Sequence, residues 1–476
     1  MARRPIAVVL GSGMAGMLAA RVLAERFAEV VVVDRRAVDP ATGTFAAAVP
    51  QAEHLHVLLK RGQLVLERLF PGVMAELAAA GGPTNDWGKT TFWANPYGVH
   101  PVHPTEVITL QFSRAALDAA VLARVFARGN VRAVSARVAG LVGAPGRITG
   151  VMLKDPASEL AADLVVDCRG RSSPIVDELV TLGYPAPAVS RVDNEMGYSS
   201  CFFTVPRAPA WQLVYVQVRP GLINRGGAAC QIAPDRLVVT LIGTGEDRPG
   251  AGLDEFRAFA ASAHPELAAQ LADATPIGAP RLWRNLSNVR RHFGKLRGWP
   301  RGLLVLGDAL CAFNPVYGQG MTVAAVEAEA LGATLAAIGD PTAVAWEAKF
   351  QRRLERLLFI PWLMSTMEDM RNRKFARPNL VARALHGYID LVLRGAVTDR
   401  ALHVAFLRVM HMMRSPFSLM SPGALVHVVA RSTQRALSPP SPPAALLVPV
   451  GVAGGPCLTG SRLGGQRLAG ARPAQP

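Results

Sequence analysis

The stretch Ile6-Ala-Val-Val-Leu-Gly11-Ser-Gly13-Met-Ala-Gly16 decides the fold prediction for this chain. Its first five residues are apolar and predict a strand that is buried on both faces, and a helical pattern follows the glycines as far as Phe27. Val30 to Val33 predicts a second buried strand, which ends at Asp34. A strand, a glycine turn, a helix and a second strand form a βαβ unit, so the sequence predicts a Rossmann-like α/β domain.

The glycine pattern G-x-G-x-x-G predicts a site for an adenine dinucleotide. Gly11 permits a tight turn, Gly13 lets the backbone approach a pyrophosphate, and Gly16 lets the helix pack closely on the strand. Asp34 stands about twenty residues further on, where a carboxylate accepts hydrogen bonds from ribose hydroxyls. Because this aspartate disfavours a 2′-phosphate, the nucleotide is predicted to be FAD or NAD rather than NADP. The residues predicted to bind it here are Gly11, Gly13, Met14, Ala15, Gly16, Asp34 and Arg35.

Two later segments each combine a buried strand with an acidic residue and a glycine turn. Leu160 to Asp167 is followed by Gly170, and Gly302 to Gly307 is followed by Asp308. A carboxylate after a strand can accept hydrogen bonds from sugar-alcohol hydroxyls. The Gly318-Gln-Gly turn then offers N–H groups at the start of a helix, where they stabilise the negative charge of a reduced flavin.

In this order, the three segments resemble the FAD-dependent monooxygenases of the p-hydroxybenzoate hydroxylase fold, over roughly residues 5–340. Gly307-Asp308 is similar to the flavin-ribityl motif of that family, and Asp167 to Gly170 resembles its Asp-Gly motif. Arg114 is similar to the family arginine near the FAD phosphates. The resemblance implies an FAD-binding domain of the glutathione-reductase type, an inserted and mainly antiparallel β-sheet substrate domain, and C-terminal helices.

A narrower resemblance concerns the bacterial olefin epoxidases that act on polyether polyketide precursors, a squalene-epoxidase-like branch. It is carried by Val49-Pro-Gln-Ala-Glu-His54-Leu-His56 and by Phe313-Asn-Pro-Val-Tyr-Gly-Gln-Gly-Met321. Together the resemblances add to the cofactor-binding set His54, His56, Arg114, Asp167, Gly170, Gly307, Asp308, Gly318, Gly320 and Met321. They place Phe313, Pro315 and Gly318 at the reaction centre. The side chains predicted to line the substrate pocket are Phe92, Trp93, Phe203, Tyr215 and Phe313.

The resemblance implies an FAD-dependent monooxygenase that uses O2 through a flavin C4a-hydroperoxide and epoxidises an olefin. Its substrate would be a lipophilic polyketide or terpenoid intermediate, as in antibiotic biosynthesis. Electrons would come from NADH or NADPH, directly or through a separate flavin reductase. An aromatic, phenol-type hydroxylase shares every flavin motif and stays open as the alternative, followed by a flavin-dependent reductase or dehydrogenase and a non-enzymatic flavoprotein. The W-x-W-x-I-P signature of flavin halogenases and the P-x-x-Y-x-W-x-F-P stretch of prenyl-chain reductases are both missing.

Composition narrows the class of protein further. The 476 residues are 50% hydrophobic and 18% charged, a balance that supports a large core. The net charge of +16 comes almost entirely from arginine, which usually reflects base composition, so nucleic acid is not a predicted partner.

The five cysteines are scattered and predict a reducing, cytoplasmic location without disulfides. No metal site is expected at His54 and His56, since no third ligand is in view. No apolar run reaches the roughly 18–20 residues of a membrane span, so no transmembrane segment is expected.

The same patterns predict how the chain is divided. The FAD-binding domain is predicted at 1–80, 105–185 and 285–345, with Ser113 as the N-cap of a helix that runs to Arg128. The β-sheet substrate domain is predicted at 81–104 and 186–284. The helical region 346–436 is interpreted as a cap over the substrate cavity, with a weak membrane-surface contact as the alternative. Residues 437–476 are rich in proline and glycine and are predicted to be disordered.

Overall fold

The computed structural model describes residues 5–39, 44–45, 53–193, 195–284, 287–371 and 379–436. Its strands, numbered along the chain, are β1 (Ile6–Leu10), β2 (Glu29–Asp34), β3 (Val38–Asp39), β4 (Thr44–Phe45), β5 (Thr84–Asp86), β6 (Thr91–Asn95), β7 (Gly98–Val99), β8 (Ile108–Leu110), β9 (Val131–Ser135), β10 (Arg137–Ala144), β11 (Arg147–Lys154), β12 (Ser158–Ala161), β13 (Leu164–Asp167), β14 (Val189–Val192), β15 (Met196–Thr204), β16 (Leu213–Val216), β17 (Arg225–Ala233), β18 (Arg236–Thr244), β19 (Thr275–Arg284), β20 (Asn288–Arg291), β21 (Leu303–Val305) and β22 (Cys311–Ala312).

The helices are numbered in the same way. They are α1 (Met14–Leu23), α2 (Lys60–Leu69), α3 (Val73–Ala79), α4 (Arg114–Phe126), α5 (Ile175–Thr181), α6 (Leu253–Ala263), α7 (Pro265–Leu271), α8 (Gly320–Ile338), α9 (Glu347–Leu357), α10 (Phe359–Asp369), α11 (Leu380–Ala396), α12 (Arg400–Met410) and α13 (Pro422–Ala436).

A five-stranded parallel sheet in the order β21-β13-β1-β2-β9 forms the centre of the predicted α/β domain. The register pairs Leu10 with both Val33 and Asp167, and Asp167 in turn with Val305. Four strands therefore end at one edge of the sheet, and the loops that follow them meet there. This is the edge at which doubly wound sheets bind their ligands.

The chain departs from the prediction at β9. The sequence predicts a β-meander over Val131 to Val142 and Ile148 to Lys154. The structure has its antiparallel part from β10 onward, but β9 pairs in parallel with β2. Ala136 marks the change, since its N–H still donates to Asp34 O. An edge strand that is half exposed shows the same alternation as a meander, and so the pattern alone could not separate the two.

The second large sheet has seven strands in the order β19-β15-β18-β17-β16-β6-β7, antiparallel except where β16 meets β6. This confirms the mainly antiparallel sheet. One face packs on α6 and α7, with Phe203 and Phe256 fully buried between sheet and helix. The other face carries Tyr198, Tyr215 and Thr240 toward a cavity.

The C-terminal helices α9 to α13 follow α8. By length and composition α8 could cross a membrane, but it lies within the core, packed on α1 and α2. The four cysteines within the described residues are buried free thiols, at Cys168, Cys201, Cys230 and Cys311. The predictions for Val49 to Ala52 and for residues 437–476 lie outside the described residues.

Candidate active site

A cavity of about 770 Å³ lies where the ligand-binding edge of the parallel sheet meets the seven-stranded sheet and the C-terminal helices. Its volume is typical of small-molecule sites. One end is polar and is lined by four arginines, Arg35, Arg114, Arg169 and Arg171. The other end is lined mainly by apolar and aromatic side chains.

The glycine turn after β1 forms part of the polar end. Gly11 has φ +93°, and a Cβ atom there would lie 2.6 Å from Cys168 O. A Cβ atom on Gly16 would lie 1.9 Å from Gly11 O, whereas one on Gly13 would meet nothing within 4 Å. Gly13, Met14 and Ala15 line the cavity, and α1 starts there without a side-chain cap. Its first N–H groups are therefore available to an anion.

Asp34 is held by its neighbours rather than placed in the cavity wall. Its Oδ2 accepts from Ser12 N at 2.8 Å and from Ser12 Oγ at 2.7 Å, while Oδ1 accepts from Arg36 N at 3.0 Å. Burial acts to raise the pKa of the Asp34 carboxyl, but these hydrogen bonds hold it below its ordinary value. Arg35 lines the cavity and Asp34 does not. Ribose binding by Asp34 stays a prediction.

Asp167 shapes the second turn from inside. It is fully buried and accepts hydrogen bonds from Arg169 N at 2.8 Å and from Ser173 Oγ at 2.6 Å, so it does not line the cavity. Gly170, with φ +82°, does line it, as does Arg171. The Arg171 guanidinium donates to Phe313 O at 2.8 Å and so joins two of the site loops. Arg171 was not among the residues predicted from the sequence, although it directly follows the glycine turn.

Asp308 supplies the only carboxylate at the polar end among the described lining residues. No hydrogen bond reaches its side chain from any described residue, and burial raises its pKa against the opposing charges of Arg171, Arg114 and Arg291. The neighbouring Gly307 has φ +61° and donates its N–H to Glu327 Oε2 at 2.7 Å. Glu327 is buried in α8, and burial raises its pKa to about 8.

Two predicted histidines also line the cavity. His56 Nδ1 lies 2.9 Å from His54 O, and because a carbonyl only accepts, Nδ1 carries the proton and Nε2 is an acceptor. Burial lowers the pKa of His56 to about 3, so the ring is neutral at pH 7. His54 Nδ1 contacts Ser200 Oγ at 2.8 Å. Arg114, beside them, donates its Nε to Asp118 at 2.7 Å.

The segment from Phe313 to Met321, which leads into α8, also lines the cavity. The predicted residues Phe313, Pro315, Gly318, Gly320 and Met321 all line it. A buried polar network holds the loop from behind. Asp369 at the end of α10 accepts from Tyr317 Oη at 2.7 Å and from Asn314 Nδ2, and Asn288 Oδ1 accepts from Asn314 N at 2.7 Å. The sequence offered no local signal for this network, because its members are far apart along the chain.

Three of the five side chains predicted to line the substrate pocket line this cavity, and Phe313 is one of them. Trp93 and Tyr215 line the cavity, but Phe92 and Phe203 do not. Because side chains alternate along a strand, Phe92 points away from Trp93 and its ring packs on Trp211, with centroids 5.9 Å apart. Phe203 packs on Phe256 of α6. The prediction that Phe92 and Phe203 line the pocket is therefore wrong.

The C-terminal helices, for which the sequence predicts a cap over the substrate cavity, line much of its apolar end. The residues of this helical wall are Leu363, Met364, Met367, Glu368, Leu385, Tyr388, Ile389, Val392, Leu393, Phe406, Val409, Met410, Pro416, Phe417, Leu419 and Met420. The helical periodicity predicts that these residues face a partner, but it cannot say whether that partner is core or cavity.

The residues at the polar end fit FAD. A side chain on Gly11 or Gly16 would overlap backbone, so the turn is kept tight, while Gly13 opens to free space where a pyrophosphate can approach. Asp308 presents a carboxylate to which no described residue makes a hydrogen bond, and four arginines line the same cavity. The charges of Arg171, Arg114 and Arg291 act on Asp308. An anionic nucleotide with a sugar-alcohol chain satisfies both requirements.

Comparison with known proteins agrees with this fit. Residues 5–347 match a family model described as an FAD binding domain. The chain belongs to the FAD binding domain family. This family member is 31% identical over 424 residues to "Protein Rv3254" of Mycobacterium tuberculosis (strain ATCC 25618 / H37Rv), a match that covers 84% of this chain and 88% of that one.

Solved structures support the fold of this FAD binding domain protein. The flavin-dependent brominase Bmp2 superposes with a TM-score of 0.65 at 15% identity, covering 90% of this chain and 99% of the brominase. The 2-methyl-3-hydroxypyridine-5-carboxylic acid oxygenase superposes with a TM-score of 0.53 at 19% identity, covering 79% of this chain and 94% of the oxygenase. These findings confirm the FAD monooxygenase fold.

Proposed function

We propose that the protein is an FAD-dependent monooxygenase that epoxidises an olefin of a lipophilic natural-product intermediate. The observation that supports this best is one cavity with two unlike ends, an arginine-lined end suited to FAD and an apolar end suited to a lipophilic substrate. When bound, FAD supplies the activation of O2. One oxygen atom goes to the alkene and the other leaves as water, with two electrons from NADH or NADPH, directly or through a separate flavin reductase.

The chain's own residues bind both partners and exclude water. The N–H groups at the start of α1 and the arginines hold the anionic part of the cofactor, and Asp308 accepts from its sugar-alcohol chain. The loop from Phe313 to Met321 lies between the two ends of the cavity, where it positions the substrate against the cofactor. The Leu, Ile and Met side chains of the helical wall keep the reacting centre dry.

An aromatic hydroxylase of the same fold is the alternative. It is supported by the aromatic side chains of the apolar end, among them Trp87, Trp93 and Tyr215, which suit a flat ring. Halogenation is less well supported, because no lysine lines the cavity in the described parts of the chain and the W-x-W-x-I-P signature is missing.

The test is an incubation of the FAD-loaded protein with NADH or NADPH, a flavin reductase and isotope-labelled O2. Polyenes and phenols are supplied as substrates, and products are read by mass spectrometry. We expect an epoxide that carries one labelled oxygen atom. A labelled phenol product would establish the alternative, and a protein that neither retains FAD nor forms an oxygenated product would refute the proposal. Asp308→Ala, which removes the carboxylate at the polar end of the cavity, serves as the flavin-deficient control.

A further inference from the structure

The apolar end of the cavity holds one carboxylate among the described lining residues, that of Glu368 on α10. The other lining carboxylate, Asp308, belongs to the polar end with the arginines. A charged oxygen facing an otherwise apolar chamber is costly unless a partner satisfies it. No described residue makes a hydrogen bond to Glu368 Oε1, so this oxygen can accept one from a ligand in the cavity.

The charge of Glu368 is already balanced on its protein side. Its Oε2 lies 2.9 Å from Arg371 Nε, and Arg371 Nη2 lies 3.0 Å from Asp390 Oδ1. Asp390 Oδ2 in turn lies 2.8 Å from Arg219 Nη2. Acidic and basic groups alternate along this series, so its charges cancel in pairs. A neutral hydrogen-bond donor therefore suits Glu368 Oε1 better than a second cation.

A second polar group faces the same chamber. Tyr215 on β16 is half-buried and lines the cavity, and no described residue makes a hydrogen bond to its hydroxyl. Tyr215 stands four residues before Arg219, the last group of the ion-pair series that starts at Glu368, so this series joins α10 to the segment that follows β16. Burial and the charge of Glu368 both raise the pKa of Tyr215, which agrees with that placement. The hydroxyl of Tyr317, by contrast, is committed to Asp369 at 2.7 Å.

We infer that Glu368 and Tyr215 together bind a hydroxyl group of the substrate. Glu368 Oε1 accepts the hydrogen bond of that hydroxyl, and Tyr215 donates its own to the hydroxyl oxygen. The substrate class is thereby narrowed to lipophilic molecules that carry an alcohol or a phenol. The inference rests on the proposed function for its substrate, but binding can be measured without turnover.

The test is equilibrium dialysis of the FAD-loaded full chain with two matched pairs of ligands. One pair is 4-nonylphenol and its methyl ether, and the other is a long-chain unsaturated alcohol and its methyl ether. A hydrogen bond to a charged group is worth enough to give about a tenfold preference for the hydroxyl ligand. A larger preference in the first pair would indicate a phenol as the substrate, and a larger preference in the second pair would indicate an alcohol.

In Glu368→Leu the preference for the hydroxyl ligand should fall to about one, and in Tyr215→Phe it should fall by a smaller factor. Glu246→Gln, at an exposed carboxylate that does not line the cavity, should keep the wild-type preference. An unchanged preference in Glu368→Leu, or no binding of any ligand to the wild type, would overturn the inference. Failure to retain FAD would instead count against the proposed function, because dialysis still reports hydroxyl preference in the flavin-free chain.

Discussion

The three glycines of the first turn have separable roles, which single substitutions can distinguish. A Cβ atom on Gly16 would lie 1.9 Å from Gly11 O, but one on Gly13 would meet nothing within 4 Å. We expect Gly16→Ala to lower the free energy of unfolding of the FAD-free protein by roughly 2 kcal/mol or more. Gly13→Ala should change it by less than about 1 kcal/mol.

For FAD retention, in contrast to stability, we expect a substitution at Gly13 to have a large effect. A methyl group there occupies the space through which a pyrophosphate approaches, so Gly13→Ala should fold normally and lose most of its flavin. Urea unfolding and the flavin-to-protein absorbance ratio measure the two effects. If Gly13→Ala kept its flavin, or lost as much stability as Gly16→Ala, these separate roles would be wrong.

At the same scale, the sequence predicts which residues reach the site better than what each one does there. Gly13, Asp308 and Gly318 all line the cavity because strand ends and glycine turns must meet at one edge of the sheet. Asp34 and Asp167 come from the same pattern, but neighbouring N–H and hydroxyl groups hold them outside the cavity wall. The spacing of residues along the sequence does not predict local hydrogen bonds of this kind.

Among the elements, the contact between α10 and the loop before α8 is the one most open to measurement. Asp369 accepts hydrogen bonds from Tyr317 Oη, Asn314 Nδ2 and Asn288 Nδ2 while fully buried. We expect Asp369→Ala to cost about 3–5 kcal/mol in the free energy of unfolding, because it leaves buried donors unsatisfied. Tyr317→Phe should cost about 1 kcal/mol.

The two substitutions should not be additive, since they remove one shared hydrogen bond. The double variant should therefore lose less stability than the sum of the single ones, by about 0.5–3 kcal/mol in a double-mutant cycle. Denaturant unfolding of the four proteins supplies the numbers. A coupling of zero would mean that α10 does not hold this loop through Tyr317.

Elements with strong local signals are the ones that the sequence predicts well. The small apolar residues of Gly320 to Ile338 predict α8 with the bounds that the structure has, and Ser113 caps α4 through a 3.1 Å hydrogen bond from Ala116 N. The pairing of β9 and the orientation of Phe92 are different. They depend on which neighbour an alternating strand meets, and both faces of such a strand can be apolar.

For the whole molecule, buried ionisable groups set two opposing pH dependences. Burial lowers the pKa values of His56, His100 and His411 to about 3 and that of His403 to about 4, from 6.5. Below pH 6.5 these histidines become protonated in the unfolded chain but stay neutral in the folded one. The free energy of unfolding therefore falls as the solution is acidified. Burial raises the pKa of Glu327 from 4.5 to about 8. Between these values the unfolded chain loses a proton that the folded one keeps, so stability falls as pH rises.

We therefore expect the free energy of unfolding of the FAD-free protein to be highest near pH 6.5. Each group contributes a slope of about 1.4 kcal/mol per pH unit, so the four histidines outweigh Glu327 on the acid side. Of these five groups, only Glu327 contributes a slope above pH 6.5. Glu327→Gln should flatten the alkaline side up to about pH 8, and His403→Gln should reduce the acid slope by about a third.

Glu329→Gln, on the same helix but paired with Arg61 at the surface, is the control and should leave both slopes unchanged. Urea unfolding between pH 4 and pH 9 measures the curve. If Glu327→Gln kept the alkaline slope of the wild type, Glu327 would not be the group that keeps its proton in the folded chain.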